Sequence, residues 1–337
     1  MPPDPLVKGL LSGDRIALAK LITDVESGSP RASEALRTVY ARTGRSTVVG
    51  FAGPLGVGKS SLISRLVRYL RTQGLKVGVV AVDPSSPFSG GAVLGDRVRL
   101  DLPRGDKGVF VRSMATRGQA GGLAQGTRDT VRLMEAFGMD VIIVETVGSG
   151  QSDVNIRDVA TTRVVVLVPH LGDDIQSLKA GLFEIADIFA VNKSDLPGSA
   201  EAVRHLREMT TIMSPRSDWR PDVTECSALN ATGIDELWKK IQRHEDFVRK
   251  ESSAHQESRD RLKKELRELL QRKLEERLRS MLLEDGEVEE WARQVEEGKI
   301  DPYTGSDRIV QRLSGQGRSK AVSRRSPRLD KGARPRG

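Results

Sequence analysis

Between residue 47 and about residue 242, two hydrophobic patterns alternate along the chain. Short runs that are mostly apolar and rich in β-branched residues predict strands over 48–52, 77–82, 109–112, 141–145, 164–168, 188–191 and 223–226. Segments with apolar residues at three- and four-residue steps predict helices, among them 59–73, stopped by Gly74, and 129–137, followed by Gly138. Strands without a polar face are buried on both sides. The prediction is therefore an α/β fold with a mostly parallel sheet covered by helices on both faces. Ahead of it, Leu10, Leu11, Ala17, Leu18, Leu21 and Ile22 recur at helical spacing, as do Ala35, Leu36 and Val39. Ser27-Gly28-Ser29-Pro30 breaks that lead-in. After about Asp246 the pattern becomes charged helix. Leu262, Leu266, Leu269, Leu270, Leu274, Leu278, Met281 and Leu282 form one apolar stripe. A helix of about 25 residues, about 37 Å long, would carry it. The stripe alone leaves two readings open, packing back on the body and pairing with a second copy. Gly286 is expected to end this helix, and Asp301-Pro302 to open a last one.

Composition changes this picture in a few places. The 337 residues carry a net charge of +8. Residues 314–337 hold eight Lys or Arg against the single Asp330, a local +7, which leaves about +1 for everything before them. The basicity thus belongs to a Ser-, Gly- and Pro-rich tail whose composition predicts disorder, and no nucleic-acid partner is expected for the folded body. The expected layout is a helical extension over 1–45, a nucleotide-binding domain over 46–245, a helical region over 246–313 and the basic tail. The longest apolar runs are strand-sized, far short of the roughly 18 residues a membrane span needs. The first 30 residues lack a signal-peptide pattern, and a lone Cys226 builds neither a disulfide nor a Cys-rich metal site, so a cytoplasmic location is expected.

The candidate chemistry lies where predicted strands end. Gly53-Pro54-Leu55-Gly56-Val57-Gly58-Lys59-Ser60 matches G-x-x-x-x-G-K-[ST] between a strand and a helix. Glycines let backbone N–H groups close around a phosphate, Lys59 brings positive charge to the β- and γ-phosphates, Ser60 offers a hydroxyl to Mg²⁺, and Ser61 continues the helix N-terminus. The base is indicated by Asn192-Lys193-Ser194-Asp195. The Asp195 carboxylate can accept from both N1–H and the N2 amine of guanine, bonds that adenine does not offer. Asn192 would either contact the base or brace the phosphate loop, and the Lys193 stem would cover the base plane. Ser227-Ala228-Leu229, after the last strand, has the form of a loop whose backbone N–H reads guanine O6. Glu145, ending an apolar strand with Gly148 three residues on, fits a Mg²⁺-side or water-orienting acid and a γ-phosphate-sensing glycine. The segments 83–97 and 171–176 have switch-loop composition. His170, Arg117 and Gln151 receive no role.

Taken together, AVDPSSPFSGGAVLGDR, RSMATRGQAGGLA, VETVGSGQSD, LGDDIQSLKAG, ADIFAVNKSDLPG and DPYTGSDRI resemble the MeaB/ArgK family, in the metallocentre-chaperone branch of the P-loop GTPases. The likeness runs from about residue 5 to about residue 313. It implies GTP hydrolysis to GDP in the service of an adenosylcobalamin-dependent acyl-CoA mutase, typically methylmalonyl-CoA mutase, with the cobalamin held by the mutase and not tightly by this chain. It further implies a homodimer through the C-terminal helices, Mg²⁺ contacts from Ser60, Asp83, Asp96 and Glu145, and catalytic roles for Lys59, Asp96 and Glu145. Leu55, Ser149, Asp153, His170 and Gln119-Ala120 depart from the family pattern. Two other activities stay open. Metal insertion of the nickel-delivery type is disfavoured by one Cys and four separated His, and a transport-associated ATPase or kinase is an older label for the family.

Overall fold

The computed structural model describes residues 4–83, 101–102, 105–115, 126–146, 156–169, 180–212, 219–284 and 287–313. The chain divides into two compact units, Met1–Ser258 and Arg259–Gly337. The first is built on seven strands: β1 (Thr47–Ala52), β2 (Val77–Asp83), β3 (Val109–Ala115), β4 (Val141–Glu145), β5 (Thr162–Leu167), β6 (Ile188–Val191) and β7 (Asp222–Glu225). Their order is β3-β2-β4-β1-β5-β6-β7, and every neighbouring pair is parallel. The apolar runs forecast this. In β1, Val49 and Phe51 enter one core while Val48 and Ala52 enter the other.

Helices α4 (Lys59–Thr72) and α8 (Ile234–Lys250) cover the first face, where Leu62, Leu66, Trp238 and Ile241 pack on Phe51 and Val79. The second face is covered by α1 (Pro5–Leu11), α2 (Arg15–Glu26), α3 (Pro30–Val39), α5 (Thr127–Phe137), α6 (Ala180–Ile185) and α7 (Ser199–Ile212). Helices α1–α3 share the core of the sheet. Leu18, Leu21 and Ile22 are buried with Leu133 of α5, and the Arg112 guanidinium of β3 pairs with Glu26.

Several boundaries differ from the sequence expectation for local reasons. The lead-in breaks between α1 and α2, because Gly13 is left-handed (φ +85°) and the Asp14 carboxylate caps α2 through the Ile16 N–H at 2.8 Å. Strand β5 starts at Thr162, two residues early. That polar side chain is fully buried but hydrogen-bonded to Glu245 at 2.8 Å, so it carries no apolar signal. After the single extended residue Glu251, α9 (Ser252–Glu284) runs 33 residues, its first turns being polar and therefore silent in the apolar pattern. Next come α10 (Glu287–Glu296), which the pattern did not separate, and α11 (Pro302–Leu313). The Asp301 cap predicted for α11 is present, its carboxylate accepting from Thr304 N at 2.9 Å.

All seven strands run the same way, so the loops that follow them gather at one rim. Strand β1 sits at the sheet centre between β4 and β5, with β2 and β3 beyond β4 and β6 and β7 beyond β5. The loop leaving β1 therefore emerges at the point where the strand order reverses, where open α/β sheets bind ligands.

Candidate functional site

The turn from β1 into α4 is shaped by glycines at two points. Gly58 is left-handed (φ +89°) at the N-cap of α4, and a Cβ there would stand 2.5 Å from Asn192 Nδ2. Gly53 (φ +140°) lies against the backbone carbonyl of Val166, again with no room for a side chain. Lys59 is buried, and its Nζ donates to the carbonyls of Gly53 at 2.7 Å and Pro54 at 3.0 Å. The ammonium thus spans the loop whose N–H groups and helix dipole suit a phosphate.

Strand register brings the acid to the loop. Glu145 pairs with Phe51 across β4 and β1 and is buried, and the Ser60 hydroxyl donates to its Oε1 at 2.6 Å. A hydroxyl and a carboxylate at this separation suit Mg²⁺, whose neighbouring ligands in an octahedron stand about 2.9 Å apart. Small rearrangement would let both face one hard cation. Asp83 ends β2. Asp96 and Gly148 lie outside the described residues, as do His170, Arg117, Gln151, most of 83–97 and all of 171–176.

The predicted base-reading residues converge on the same rim. Asn192 braces the phosphate loop. Its Nδ2 donates to Val57 O at 2.8 Å and its Oδ1 accepts from Ala228 N at 3.0 Å, joining the phosphate loop to the last strand's loop. Lys193 is left-handed (φ +58°), and its Nζ donates to Gly56 O at 2.9 Å. Asp195 accepts a short hydrogen bond from the Ser227 hydroxyl. Beneath these loops Ser194 N donates to Cys226 O at 3.0 Å, and burial pushes the Cys226 thiol up to about 12, which leaves it unreactive. A cavity of about 430 Å³ opens between them, lined by Gly58, Ser61, Asn192, Lys193, Asp195 and Leu229, a size suited to a nucleoside.

Ser64, Arg65, Arg68 and Asp101 also line that cavity, and the sequence reading missed them. Arg65 Nε donates to Ala228 O at 2.7 Å, and Arg68 Nη2 pairs with the Asp101 carboxylate at 2.7 Å. Residues 61, 64, 65 and 68 follow helical spacing on the polar side of α4, a signal that could have marked them.

Comparison with known proteins agrees with this geometry. The family model described as methylmalonyl Co-A mutase-associated GTPase MeaB matches residues 18–282. A Pyrococcus abyssi protein named as a GTPase is 44% identical over 319 residues, covering 94% of this chain and 98% of its own. GTPase ArgK of Escherichia coli K12 is 38% identical over 70% of this chain and 73% of its own. The mouse methylmalonic aciduria type A homolog, mitochondrial, is 35% identical over 70% of this chain and 61% of its own. A crystal structure of an LAO/AO transport system kinase superposes with a TM-score of 0.66 at 28% identity, covering 92% of this chain and 96% of that one. With a phosphate loop, a buried acid beside it and a nucleoside-sized cavity at the switch point of a parallel sheet, the chain belongs to the MeaB family of P-loop GTPases.

Proposed function

We propose that this GTPase acts as a nucleotide-gated chaperone of an adenosylcobalamin-dependent acyl-CoA mutase, with methylmalonyl-CoA mutase as the client. The names of the family and of the mouse relative support the client. The observation that carries the gating is the 2.6 Å contact of Ser60 with Glu145, which ties the phosphate loop to the end of β4. A γ-phosphate arriving at one would be felt at the other.

In this reading the triphosphate lies along residues 53–61, and Lys59 exchanges the Gly53 and Pro54 carbonyls for phosphate oxygens. Ser60 and Glu145, with Asp83 and Asp96 from the neighbouring segment, would hold Mg²⁺, which when bound supplies charge neutralisation across the β- and γ-phosphates. Glu145, one methylene longer than Asp, also reaches far enough to orient the attacking water. Gly148 would register the γ-phosphate. Asp195 and the 227–229 loop read the base. Turnover by the chain alone is expected to be slow and to rise on contact with the client, since no arginine finger is recognisable in the sequence motifs. Five exposed leucines on α9, Leu262, Leu266, Leu269, Leu270 and Leu274, support a homodimer through that helix.

The test is GTP turnover by the purified protein with and without a cobalamin-dependent methylmalonyl-CoA mutase, with ATP and Lys59→Ala as controls. Acceleration by the mutase supports the proposal, and turnover indifferent to it removes this client. The name of the structural relative raises a second reading, phosphoryl transfer to a transport protein. Labelled γ-phosphate appearing on protein instead of in water would favour that one.

A further inference from the structure

The peptide unit between Ala228 and Leu229 is held by a side chain that belongs to neither nucleotide motif. Arg65, in the second turn of α4, donates Nε to Ala228 O at 2.7 Å and Nη2 to Leu229 O at 3.2 Å. One turn on, Arg68 spends its charge on the Asp101 carboxylate, whereas Arg65 has no carboxylate partner among the described residues and gives these donors to backbone. Charge-assisted bonds of this kind are about twice as strong as neutral ones.

The geometry of the held unit gives the contact a purpose. The Ala228 N–H is already taken by Asn192 Oδ1 at 3.0 Å. Among the described residues no acceptor takes the N–H of Leu229. No described peptide is cis, and in a trans peptide the C=O and the following N–H point to opposite sides of the chain. Fixing the Ala228 carbonyl against α4 therefore fixes the Leu229 N–H in the other direction, and both residues line the cavity. Pulling on the carbonyl also polarises the N–H of the same unit, which makes it a better donor.

We propose that Arg65 is a specificity-positioning residue: it sets the 228–229 peptide so that the Leu229 N–H reads the 6-oxo group of the bound base. The inference rests on the guanine reading of the cavity. It has a consequence that general support of the pocket does not. Guanine and hypoxanthine both carry a 6-oxo acceptor, adenine carries an amine there, and the N2 amine read by Asp195 is present in guanine only. A loosened 228–229 unit weakens guanine and hypoxanthine nucleotides equally and leaves adenine nucleotides where they were.

The experiment is competition of GDP, IDP and ADP against a fluorescent GDP analogue on the full chain, for wild type, Arg65→Ala, Arg65→Lys and Asp195→Ala. For Arg65→Ala the GDP-to-ADP affinity ratio is expected to fall about tenfold, the loss of one good hydrogen bond, while the GDP-to-IDP ratio stays within about twofold. The KM for GTP should rise more than kcat falls. Arg65→Lys keeps one donor and should show the same pattern at about threefold, and it supplies the readout if Arg65→Ala does not fold. A GDP-to-ADP ratio unchanged in both variants, or an equal loss of all three nucleotides, overturns the proposal. Asp195→Ala separates the two levels. A lowered GDP-to-IDP ratio upholds the guanine reading independently of Arg65, and an unchanged ratio sinks that reading itself.

Discussion

Lys193 and Ala231 are the described non-glycine residues with left-handed backbone, at φ +58° and +57°, and they lie in the loops that follow β6 and β7. Such a conformation costs an L-residue about 1–2 kcal/mol. At Lys193 the strain is used, because it carries the side chain back over the phosphate loop to Gly56. At Ala231 the side chain is small and exposed, so the conformation serves only the turn. Ala231→Gly is therefore expected to stabilise the protein by about 0.5–1 kcal/mol, measured by chemical denaturation. A neutral or negative effect would show that this turn is not held left-handed in solution. Asp195 makes a sharper prediction. Asn at that position offers an N–H where the carboxylate only accepts, which matches the 2-oxo group of xanthine in place of the guanine amine. Asp195→Asn should move the preference from GTP toward XTP by about two orders of magnitude, read from kcat/KM for both nucleotides.

Two helices bear most directly on the proposed function. Helix α4 holds Lys59 and Ser60 at its N-terminus and presents Arg65 and Arg68 to the loops around the cavity, so one rigid rod touches the 53–54 loop, the 228–229 loop and the segment at Asp101 together. Apolar burial of Leu62, Ile63, Leu66 and Leu70 keeps it seated on the sheet. Helix α9 is its opposite, long and with leucines exposed at three- and four-residue steps. Leu266→Glu combined with Leu270→Glu places two charges in that stripe. If α9 is the dimer contact, light scattering should report the mass of one 36.9 kDa chain in place of two. An undiminished mass would move the interface elsewhere.

At the scale of the molecule, the nucleotide rim has a buried polar counterpart where α8 meets the first residues of β5 and β6. Arg163 pairs with Asp187 at 2.7 Å, His244 lies between Thr162 and Asp187, and Glu245 accepts from the hydroxyls of Thr161 and Thr162. Burial raises the Glu245 carboxyl above its ordinary range, against the pull of the two threonines and Arg249. A carboxyl raised in the folded state binds its proton more readily there than in the unfolded chain. Its ionisation therefore costs stability above the folded pKa, and that cost disappears as pH falls toward the unfolded value near 4.5. Glu245→Gln should raise the Tm at pH 8, with the gain shrinking on acidification. A gain independent of pH would mean that the carboxyl is not raised. Among the described residues no helix is long and apolar enough to cross a membrane, and the surplus charge sits in 314–337.

The sequence by itself determined what is local or periodic. Strands buried on both faces read as unbroken apolar runs, and the phosphate loop and Asn192-Lys193-Ser194-Asp195 read directly, because their chemistry needs fixed residues a few positions apart. It also identified the acid at the end of β4, since a carboxylate closing the run Val141-Ile-Ile-Val has few structural excuses. The tertiary structure decided which distant groups meet. That Asn192 braces the phosphate loop depended on β1 and β6 lying on either side of β5, which sets its amide against Val57, 135 residues away. Thr162 was invisible as a strand residue because its partners, His244 and Glu245, come from a helix more than 80 residues later. Arg65 looked like one more charge on a polar helix face until the packing of α4 beside α8 placed a backbone carbonyl, 163 positions on, within its reach. A side chain's local pattern says whether it is buried or exposed, but its hydrogen-bond partner is chosen by the sheet order, which no short window of sequence contains.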